Sequence, residues 1–546
     1  MTSSTTNERR PSLARLAMLG SCALSAATCA HGPGSTPAPG PASHAGVAAT
    51  GAGGRGGAGP GVVVVAGERP DVVDLTYWQG RKDLIASPPP PAPAELPLPG
   101  VARWRLANGL DVVAVPRAGL PIVSFSLAIK AGSYDEQKDR TQGVADFTAG
   151  MLRHGAGRRT AEQIADTIDA VGGALDAASD AESTVVSCSA LASRADTCLT
   201  LLADVLLRPT FPESEMGQIR DQVLASLAGR EDDPHLLAAE HFDNLLFGEA
   251  HPEGWVLTPE HVRGITRDKL VAFWRAFYRP NNAILAVAGA IDVPAMKARI
   301  ARAFGAWAAA ATPKRPPFEI PPSHGIRVTL VDKPELSQAT LMFGHAGIRH
   351  GDPDWYAVTL VNYVLGGSDF SSRLMAEVRS KRGLTYGIGS SFGAGLYQGA
   401  FRVSASTRNE STWEALSVTI DELRKMKGAG PNEGELAKAK GYYAGSTPFT
   451  LESAGGLARA LVAADLHGLG VEYVRGLALR LAAVDLAAAD AAAKKWLDPD
   501  DLAIVIVGRG DVIAPQLARA KLSFERVDAR APISAMARHA IPARAR

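Results

Sequence analysis

The feature that most constrains the fold of this 546-residue chain is an internal repeat. Pro280 is followed nine residues later by Gly289, across the run Asn-Asn-Ala-Ile-Leu-Ala-Val-Ala. Pro499 is followed nine residues later by Gly508, across Asp-Asp-Leu-Ala-Ile-Val-Ile-Val, and the two copies are offset by 219 residues. Because the second half repeats the plan of the first, the sequence predicts two similar domains with a cleft between them, where substrate chambers form readily.

The secondary-structure patterns within the halves are mixed. Asn108-Gly109 between apolar segments is a strong hairpin signal, and residues 122–131 alternate as a strand does. Helical patterns follow at residues 143–152, 160–171, 194–207, 214–229, 235–246 and 267–277, with a further strand at 183–190. This irregular order favours an α+β fold over a doubly wound sheet.

Composition and charge exclude several classes of function. The net charge is +1, from 57 basic and 56 acidic residues, and no basic stripe with interleaved aromatics occurs, so no nucleic-acid partner is expected. None of the four cysteines forms a CxxC pair, which excludes a thiolate zinc knuckle. Cys188 and Cys198 fit a buried thiol pair or a disulfide better than a nucleophile. A self-sufficient hydrolase lacks support, since no paired-cysteine motif is found and no G-x-S-x-G motif lies between a predicted strand and a predicted helix, as a nucleophile elbow requires.

Residues 1–29 are typical of a signal peptide. Three arginines precede an apolar run at residues 16–27, which is too short to span a membrane and ends in small residues. Cys22 and Cys29 are alternative sites for the lipid of a bacterial lipoprotein, and cleavage without lipid is the third alternative. We therefore expect an exported protein, either periplasmic or anchored to a membrane through that lipid alone.

Composition also suggests the domain boundaries. Residues 30–99 are rich in Gly, Pro and Ala and cannot bury enough apolar surface to offset the entropy of ordering, so they are predicted to be a linker. An N-terminal domain is expected at 100–311 and a C-terminal domain at 326–524. A Pro-rich interdomain linker at 312–325 joins them, and a tail at 525–546 ends the chain.

The segment SSRLMAEVRSKRGLTYGIGS, residues 371–390, places two polar side chains at a junction between a helix and a strand. The leading serines suit a helix cap, and Gly383 can end the helix in the left-handed conformation. Arg379 lies in the last helical turn and Tyr386 begins the strand, so a guanidinium and a phenol can converge on one space. Both are donors suited to a peptide carbonyl and a developing oxyanion. The alternative is an arginine on a solvated helix face and a tyrosine half-buried in a sheet.

A set of motifs in a fixed order carries a resemblance to a known family. The motifs are Asn108-Gly109-Leu110, Ala131-Gly132-Ser133-Tyr134-Asp135-Glu136, His251-Pro252-Glu253-Gly254, Tyr278-Arg279-Pro280-Asn281-Asn282, and the stretch from Gly366-Gly367 to Tyr386. With them, residues 100–520 resemble the insulinase family of zinc metallopeptidases, which includes pitrilysin and mitochondrial processing peptidase. The resemblance implies two homologous α+β domains, each a mixed, mostly antiparallel sheet flanked by helices, facing each other across a cleft.

The resemblance also identifies a loss. The family's inverted motif H-x-x-E-H binds zinc through its histidines and activates water through its glutamate. Here Asp146, Ala149 and Gly150 stand at those three positions, and the third metal ligand, a more distant glutamate, falls near Ser226. No cofactor is therefore expected in this chain, and zinc is expected in a partner subunit.

Arg379 and Tyr386 match the arginine and tyrosine that the family's C-terminal half directs toward the zinc site. In paired bacterial members one subunit carries the zinc motif and the other carries this pair. The resemblance therefore implies a catalytically incomplete subunit of a heterodimeric zinc metallopeptidase. Arg379 and Tyr386 would be its catalytic residues, a homologous zinc-bearing chain its partner, and an unfolded peptide its substrate. The alternative is a non-catalytic structural or peptide-binding protein with the peptidase fold.

Overall fold

The computed structural model describes residues 91–531 and residue 533. The predicted signal peptide, both candidate lipidation cysteines, most of the linker and most of the tail lie outside the described residues, so the expectations for them stay predictions. In the part of the chain that is described, no helix is long and apolar enough to cross a membrane.

The strands form two large sheets and one short pair. In chain order they are β1 (Ala102–Arg105), β2 (Asp111–Pro116), β3 (Ile122–Ile129), β4 (Gly155–Ala156), β5 (Arg159–Thr160), β6 (Ala174–Ser179), β7 (Thr184–Leu191), β8 (Ala283–Gly289), β9 (Arg327–Asp332), β10 (Gln338–Ala346), β11 (Thr385–Ala394), β12 (Gln398–Arg408), β13 (Ala503–Gly508) and β14 (Phe524–Asp528).

Helices flank both large sheets. They are α1 (Val144–Met151), α2 (Ala161–Asp169), α3 (Ala195–Leu207), α4 (Glu213–Ala228), α5 (Pro234–Phe247), α6 (Pro259–Arg263), α7 (Arg267–Phe277), α8 (Val293–Phe304), α9 (Trp355–Asn362), α10 (Thr412–Ala429), α11 (Glu433–Thr450), α12 (Ala454–Leu466), α13 (Gly470–Ala483), α14 (Leu486–Trp496) and α15 (Gly510–Arg519). Two segments, Tyr363–Gly367 and Met375–Lys381, have the wider π-helical geometry.

The two sheets share one strand order, so the predicted repeat of an α+β plan is confirmed. The first sheet runs β1-β2-β8-β3-β7-β6, and the second runs β14-β9-β13-β10-β12-β11. In each sheet one central pairing, β2 with β8 or β9 with β13, is parallel, and the next three pairings are antiparallel. Only the outer strands differ, since β1 is antiparallel to its neighbour and β14 is parallel. The repeated motifs therefore lie on the equivalent strands β8 and β13.

Each half supplies one helix to the sheet of the other half. α5, from the first half, packs on β10 and β13, and α12, from the second half, packs on β3 and β8. Leu237 and Phe242 of α5 share a buried hydrophobic cluster with Val505 and Val507 of β13. Because helices cover both faces of the central strands, these strands are apolar throughout rather than alternating, and every residue of β8 is buried.

In the first half the sequence patterns located the long helices and most of the sheet strands but missed β6 and α8, and in the second half they placed only a few elements individually. Gly109 makes the predicted hairpin turn with a φ of +95°. β6, with the sequence ALDAAS, lacks the β-branched and aromatic residues typical of strands and is defined by its pairing with β7. α8 did carry a signal, because Asp292 accepts the Ala295 N–H at 2.8 Å and Pro294 follows in the first turn.

Candidate functional site

The helical segment that carries Arg379 is fixed at both ends by its own sequence. Ser372 Oγ accepts a backbone N–H of the first turn at 3.4 Å, and the Arg379 carbonyl accepts the Gly383 N–H at 2.8 Å. Gly383 has a φ of +63°, so the predicted cap and the predicted left-handed stop are both confirmed. Leu374 and Val378 are buried on one side, and Arg379 is left partly exposed.

Among the described residues, Arg379 is the basic side chain of this segment that has no acidic partner. Its guanidinium lies 4.7 Å from the ring centroid of Phe370, a cation–π contact that leaves its N–H donors unused. The other basic residues of the segment are paired, Arg373 with Glu435 and both Lys381 and Arg382 with Glu377. An arginine with free donors is suited to bind a carboxylate or carbonyl oxygen of another molecule.

Tyr386 belongs to β11, yet 84% of its surface is exposed. The cause is a β-bulge, because the register between β11 and β12 shifts between Thr385 and Ile388. The Thr385 hydroxyl stabilises the bulge, since it accepts the Gly387 N–H at 3.0 Å and lies 2.6 Å from the Ser406 carbonyl oxygen, to which it can donate. A bulge redirects the side chains that it carries. The alternative of a half-buried tyrosine is therefore wrong.

Arg379 and Tyr386 lie on two segments that pack against each other. The Leu384 N–H donates to the Val378 carbonyl at 3.0 Å, so the helical segment ends directly at the start of β11. β11 is an edge strand of the second sheet, but part of its outer edge is occupied, because Asn362 donates to the Ser390 carbonyl at 3.0 Å. The junction thus exposes a cation and a phenol beside a partly covered strand edge.

α1 contains the three positions that correspond to the zinc motif. Glu136 caps this helix, because its carboxylate accepts the N–H groups of Gly143 and Ala145 at 2.8 and 2.6 Å. Burial raises the pKa of Glu136 to about 8. The helix that would bear a metal motif is therefore held in place by interactions that do not involve metal ligands.

The residues present at these positions do not fit a zinc ion. Asp146, Ala149 and Gly150 lie on α1, and Ser226 is exposed on the adjacent α4. Of these four residues only Asp146 has a side chain of the kind that commonly binds zinc, because alanine and glycine offer no ligand atom and a serine hydroxyl is not a usual zinc ligand. Across residues 91–531, no cluster of three or more His, Cys, Asp or Glu side chains is arranged to hold a metal.

Asp146 is the ionisable group that remains at the zinc-motif positions. Its side chain is accessible to solvent, yet desolvation by the surrounding protein raises its pKa to about 7. The carboxylate of Asp180 adds repulsion in the same direction. This carboxyl group is therefore partly protonated near neutral pH.

A cavity of about 280 Å³, with several charged side chains in a largely apolar wall, is lined by residues of both halves. Glu182, in the turn between β6 and β7, links the two sides, since its carboxylate accepts the Leu396 N–H at 2.7 Å and lies 3.3 Å from His467 Nε2. The acidic turn was visible in the sequence, but its partners, more than 200 residues away, were not. These contacts of Glu182 with residues of the second half stabilise the junction of the halves beside the cavity.

Two of the quoted family motifs have structural roles beside this cavity. The Tyr134 hydroxyl donates to Glu253 Oε1 at 2.9 Å, and Arg315 pairs with Asp135. Burial raises the pKa of both Tyr134 and Glu253. At Gly132 a Cβ atom would lie 2.1 Å from the carbonyl oxygen of Asp180, so only glycine fits. The residues of these motifs therefore stabilise the fold, and none of these contacts points to a catalytic role.

Cys188 and Cys198 form a disulfide between β7 and α3, with Cα atoms 5.8 Å apart. Of the two alternatives left open by the sequence, the structure selects the disulfide. Both residues are buried, so neither supplies a nucleophile.

Comparison with known proteins first defines the class of fold. A crystal structure of a peptidase M16 inactive domain from Pseudomonas fluorescens is 29% identical, with a TM-score of 0.70, and the match covers 75% of this chain and 98% of that chain. A protease from Helicobacter pylori shares the fold with a TM-score of 0.69 at 19% identity. This match covers 75% of this chain and 100% of that chain. The fold is thus a pair of M16-type α+β domains.

Sequence matches then identify the family. The model described as "Insulinase (Peptidase family M16)" matches residues 112–259, and the one described as "Peptidase M16 inactive domain" matches residues 264–443. An uncharacterized zinc protease of Streptomyces coelicolor is 30% identical over 364 residues, which cover 65% of this chain and 78% of that protein. Another from Bacillus subtilis is 28% identical over 407 residues, 71% of this chain and 97% of that protein. The chain belongs to peptidase family M16, the insulinase family.

Proposed function

We propose that this chain is a catalytically incomplete subunit of a heterodimeric zinc metallopeptidase and supplies Arg379 and Tyr386 to the active site of a zinc-bearing partner. The observation that carries the proposal is the junction before β11, where an unpaired guanidinium and an 84% exposed phenol occur together. A tyrosine this exposed adds little to the stability of its own chain. Its presentation by a bulge is therefore best explained by contact with another molecule.

The two side chains have different roles in this proposal. Arg379 carries a fixed charge and several N–H donors, so it holds a backbone carbonyl of an unfolded peptide. Tyr386 donates its hydroxyl hydrogen to the scissile carbonyl oxygen as that oxygen gains negative charge. A donor aimed at this charge stabilises the transition state more than the ground state, and the loss of one such donor costs about 3 to 4 kcal/mol.

The peptide is proposed to bind as an added strand, because a sheet edge offers main-chain hydrogen bonds without demanding a particular sequence. β11 supplies only part of such an edge, since Asn362 already occupies the Ser390 carbonyl. We therefore expect the partner to provide most of the strand edge and the zinc, and this chain to provide Arg379 and Tyr386.

Kinetics of the assembled pair test the role of Tyr386. Tyr386→Phe removes only the hydroxyl, so we expect kcat for a quenched peptide to fall about 100-fold or more while the two chains still assemble. Tyr442→Phe, at a tyrosine of the same half that is 39% exposed and whose ring centroid lies 4.6 Å from that of Tyr363, is the matched control and should leave the rate unchanged. An unchanged rate for Tyr386→Phe would remove that residue from the mechanism.

Arg379 is tested in the same assay against a neighbouring arginine. Arg379→Ala is expected to lower kcat/KM strongly, whereas Arg382→Ala, whose side chain is already paired with Glu377, should have little effect. Equal effects of the two substitutions would mean that only the general charge of this segment matters.

The same proposal includes the cellular setting. The chain is proposed to be exported, to the periplasm or to a membrane through a lipid on Cys22 or Cys29. Support comes from the signal-like N-terminus and from the disulfide, which persists in oxidising compartments. Mass spectrometry of the mature N-terminus distinguishes lipidation at either cysteine from simple cleavage.

A non-catalytic structural or peptide-binding role is the second candidate, and it accounts equally well for the lack of a metal-holding cluster across the described residues. It predicts that Arg379→Ala changes no peptidase activity in any mixture of chains. A loss of activity in that variant would exclude it.

A further inference from the structure

A second cavity, of about 170 Å³, lies inside the second half between α11, α12 and α13. It uses neither Arg379 nor Tyr386, so it is independent of the proposed peptidase role. Polar side chains also line it, among them His350 and Arg459. Most of its wall is apolar and is formed by Leu451, Ala460, Ala464, Val474 and Leu477.

His350 is a buried polar group in this wall that lacks a full set of partners. Its side chain is only 3% exposed, and its Nε2 lies 3.2 Å from the Tyr473 hydroxyl. Its Nδ1 is buried and has no hydrogen-bond partner among the described residues. When Tyr473 donates to Nε2, the ring proton lies on Nδ1, which is then a donor without an acceptor. Such a group is costly to leave unpaired, so it points to a bound molecule with an acceptor atom.

The protonation state of His350 is consistent with this role. Burial and the nearby ring of His467 lower the pKa of His350 to about 4. The imidazole is therefore neutral at pH 7 and offers one hydrogen bond rather than a charge.

Arg459 supplies the charge at this cavity. It is exposed on α12 while lining the cavity, so it lies at the rim. In the part of the chain that the structure describes, its guanidinium forms no ion pair and no hydrogen bond. An unneutralised arginine beside an apolar cavity favours a ligand with an anionic group.

The volume limits the size of the ligand. A dry cavity of about 150 Å³ engineered into another protein binds benzene. A cavity of about 170 Å³ therefore suits one ring or one branched aliphatic group. We propose that it binds a small, mostly apolar carboxylate, to which Arg459 contributes the opposite charge and His350 a hydrogen bond. Such a group occurs in free carboxylic acids and at the carboxyl end of peptides with an apolar last residue.

Calorimetric titration of the full chain with benzoate tests the proposal. We expect binding at one site and, because a charge-assisted hydrogen bond is lost, affinity for benzamide at least about tenfold weaker. Titration with N-acetyl-leucine and its amide distinguishes free acids from the carboxyl ends of peptides. If N-acetyl-leucine competes with benzoate, the carboxyl end of a peptide is a ligand. If it does not compete, the site takes free acids alone.

Three variants give the decisive comparisons. Arg459→Ala should abolish the preference for benzoate over benzamide, and Ala460→Leu, which fills the cavity, should abolish binding of both. Arg302→Ala, at an exposed arginine on α8, is the matched control and should change neither. If Ala460→Leu proves unstable in thermal unfolding, Arg459→Ala alone decides. Equal affinity for benzoate and benzamide, unchanged binding in Ala460→Leu, or no heat of binding would overturn the proposal.

Discussion

In the first half, α1 has Asp146, Ala149 and Gly150 where its family has metal ligands and a base, whereas in the second half the segment before β11 retains both Arg379 and Tyr386. The two halves nevertheless share one strand order and exchange one helix each. The comparison shows that the M16 fold does not depend on its metal ligands. Glu136 still caps α1 and Gly132 still fits against Asp180, although the ligands themselves are gone.

The halves also differ in what their exposed polar groups can do. In the first half Asp146 is a partly neutralised carboxyl beside Asp180. In the second half the guanidinium of Arg379 has unused N–H donors, and the side chain of Tyr386 is 84% exposed although it belongs to a strand. In the proposed function the first half serves as a framework, and the second half contributes the two groups that would contact the partner chain and its substrate.

Rebuilding the metal site in the first half should give the largest change. Positions 146 and 150 are one helical turn apart on one face, and a Cβ at Gly150 would meet no atom within 4 Å. We expect Asp146→His/Gly150→His/Ser226→Glu to bind about one zinc per chain, measured by elemental analysis after dialysis, where the natural chain binds none. The variant without Ser226→Glu is the control and should lose its zinc to a chelator first. No uptake would mean that α1 and α4 have also lost the geometry of the family site.

Removing the exchanged helix contacts tests whether the halves are independent. Phe242→Ala on α5 should lower the free energy of unfolding by about 3 to 5 kcal/mol and Leu457→Ala on α12 by about 2 to 5 kcal/mol, because both side chains are buried. Urea unfolding gives the energies, and hydrogen exchange should show lost protection in β13 and β8 respectively. Phe449→Ala, at a side chain that is 77% exposed, should cost little. Loss of protection confined to the mutated half would contradict the exchange.

The disulfide is present in the first half, and the second half has no cysteine. The bridge closes a loop with a sequence separation of 10, so Cys188→Ala/Cys198→Ala should lower the free energy of unfolding by about 2 to 3 kcal/mol. Urea unfolding with and without reductant measures this. A reductant that destabilises the double variant as much as the natural chain would show that the effect lies elsewhere.

The smallest effect concerns the carboxyl left on α1. The pKa of Asp146 in the folded chain, about 7, is above its ordinary value of about 3.9, so the folded state binds more protons between these values and loses stability as the pH rises through them. Asp146→Asn should therefore leave the stability unchanged near pH 4 and raise it modestly above pH 7. Thermal unfolding of both proteins across that pH range measures the difference. If the melting temperatures of the variant and the natural chain change with pH in the same way, Asp146 has an ordinary aqueous environment.

The sequence predicted the features that depend on local chemistry. The hairpin at Gly109 and the helix end at Gly383 follow from glycine's access to positive φ, with values of +95° and +63°. The repeat followed from two apolar strands with matching boundaries. The loss of the zinc ligands could also be read directly, because a ligand set is a matter of residue types at known positions.

Features that depend on distant contacts could not be predicted. The exposure of Tyr386 comes from a bulge held by Thr385 and Ser406, which are 21 residues apart. The bond between Glu182 and His467 spans 285 residues, and β6 is a strand only because β7 pairs with it. In each case tertiary packing, rather than local propensity, determines the result.

The most direct test of the split active site is cleavage of a quenched peptide by this chain, by a zinc-bearing M16 partner, and by the two mixed, with the zinc content of each sample determined. The account predicts that activity appears only in the mixture, that the zinc resides in the partner, and that Arg379→Ala abolishes the activity. Zinc-dependent cleavage by this chain alone, or a partner whose full activity is indifferent to this chain, would contradict it.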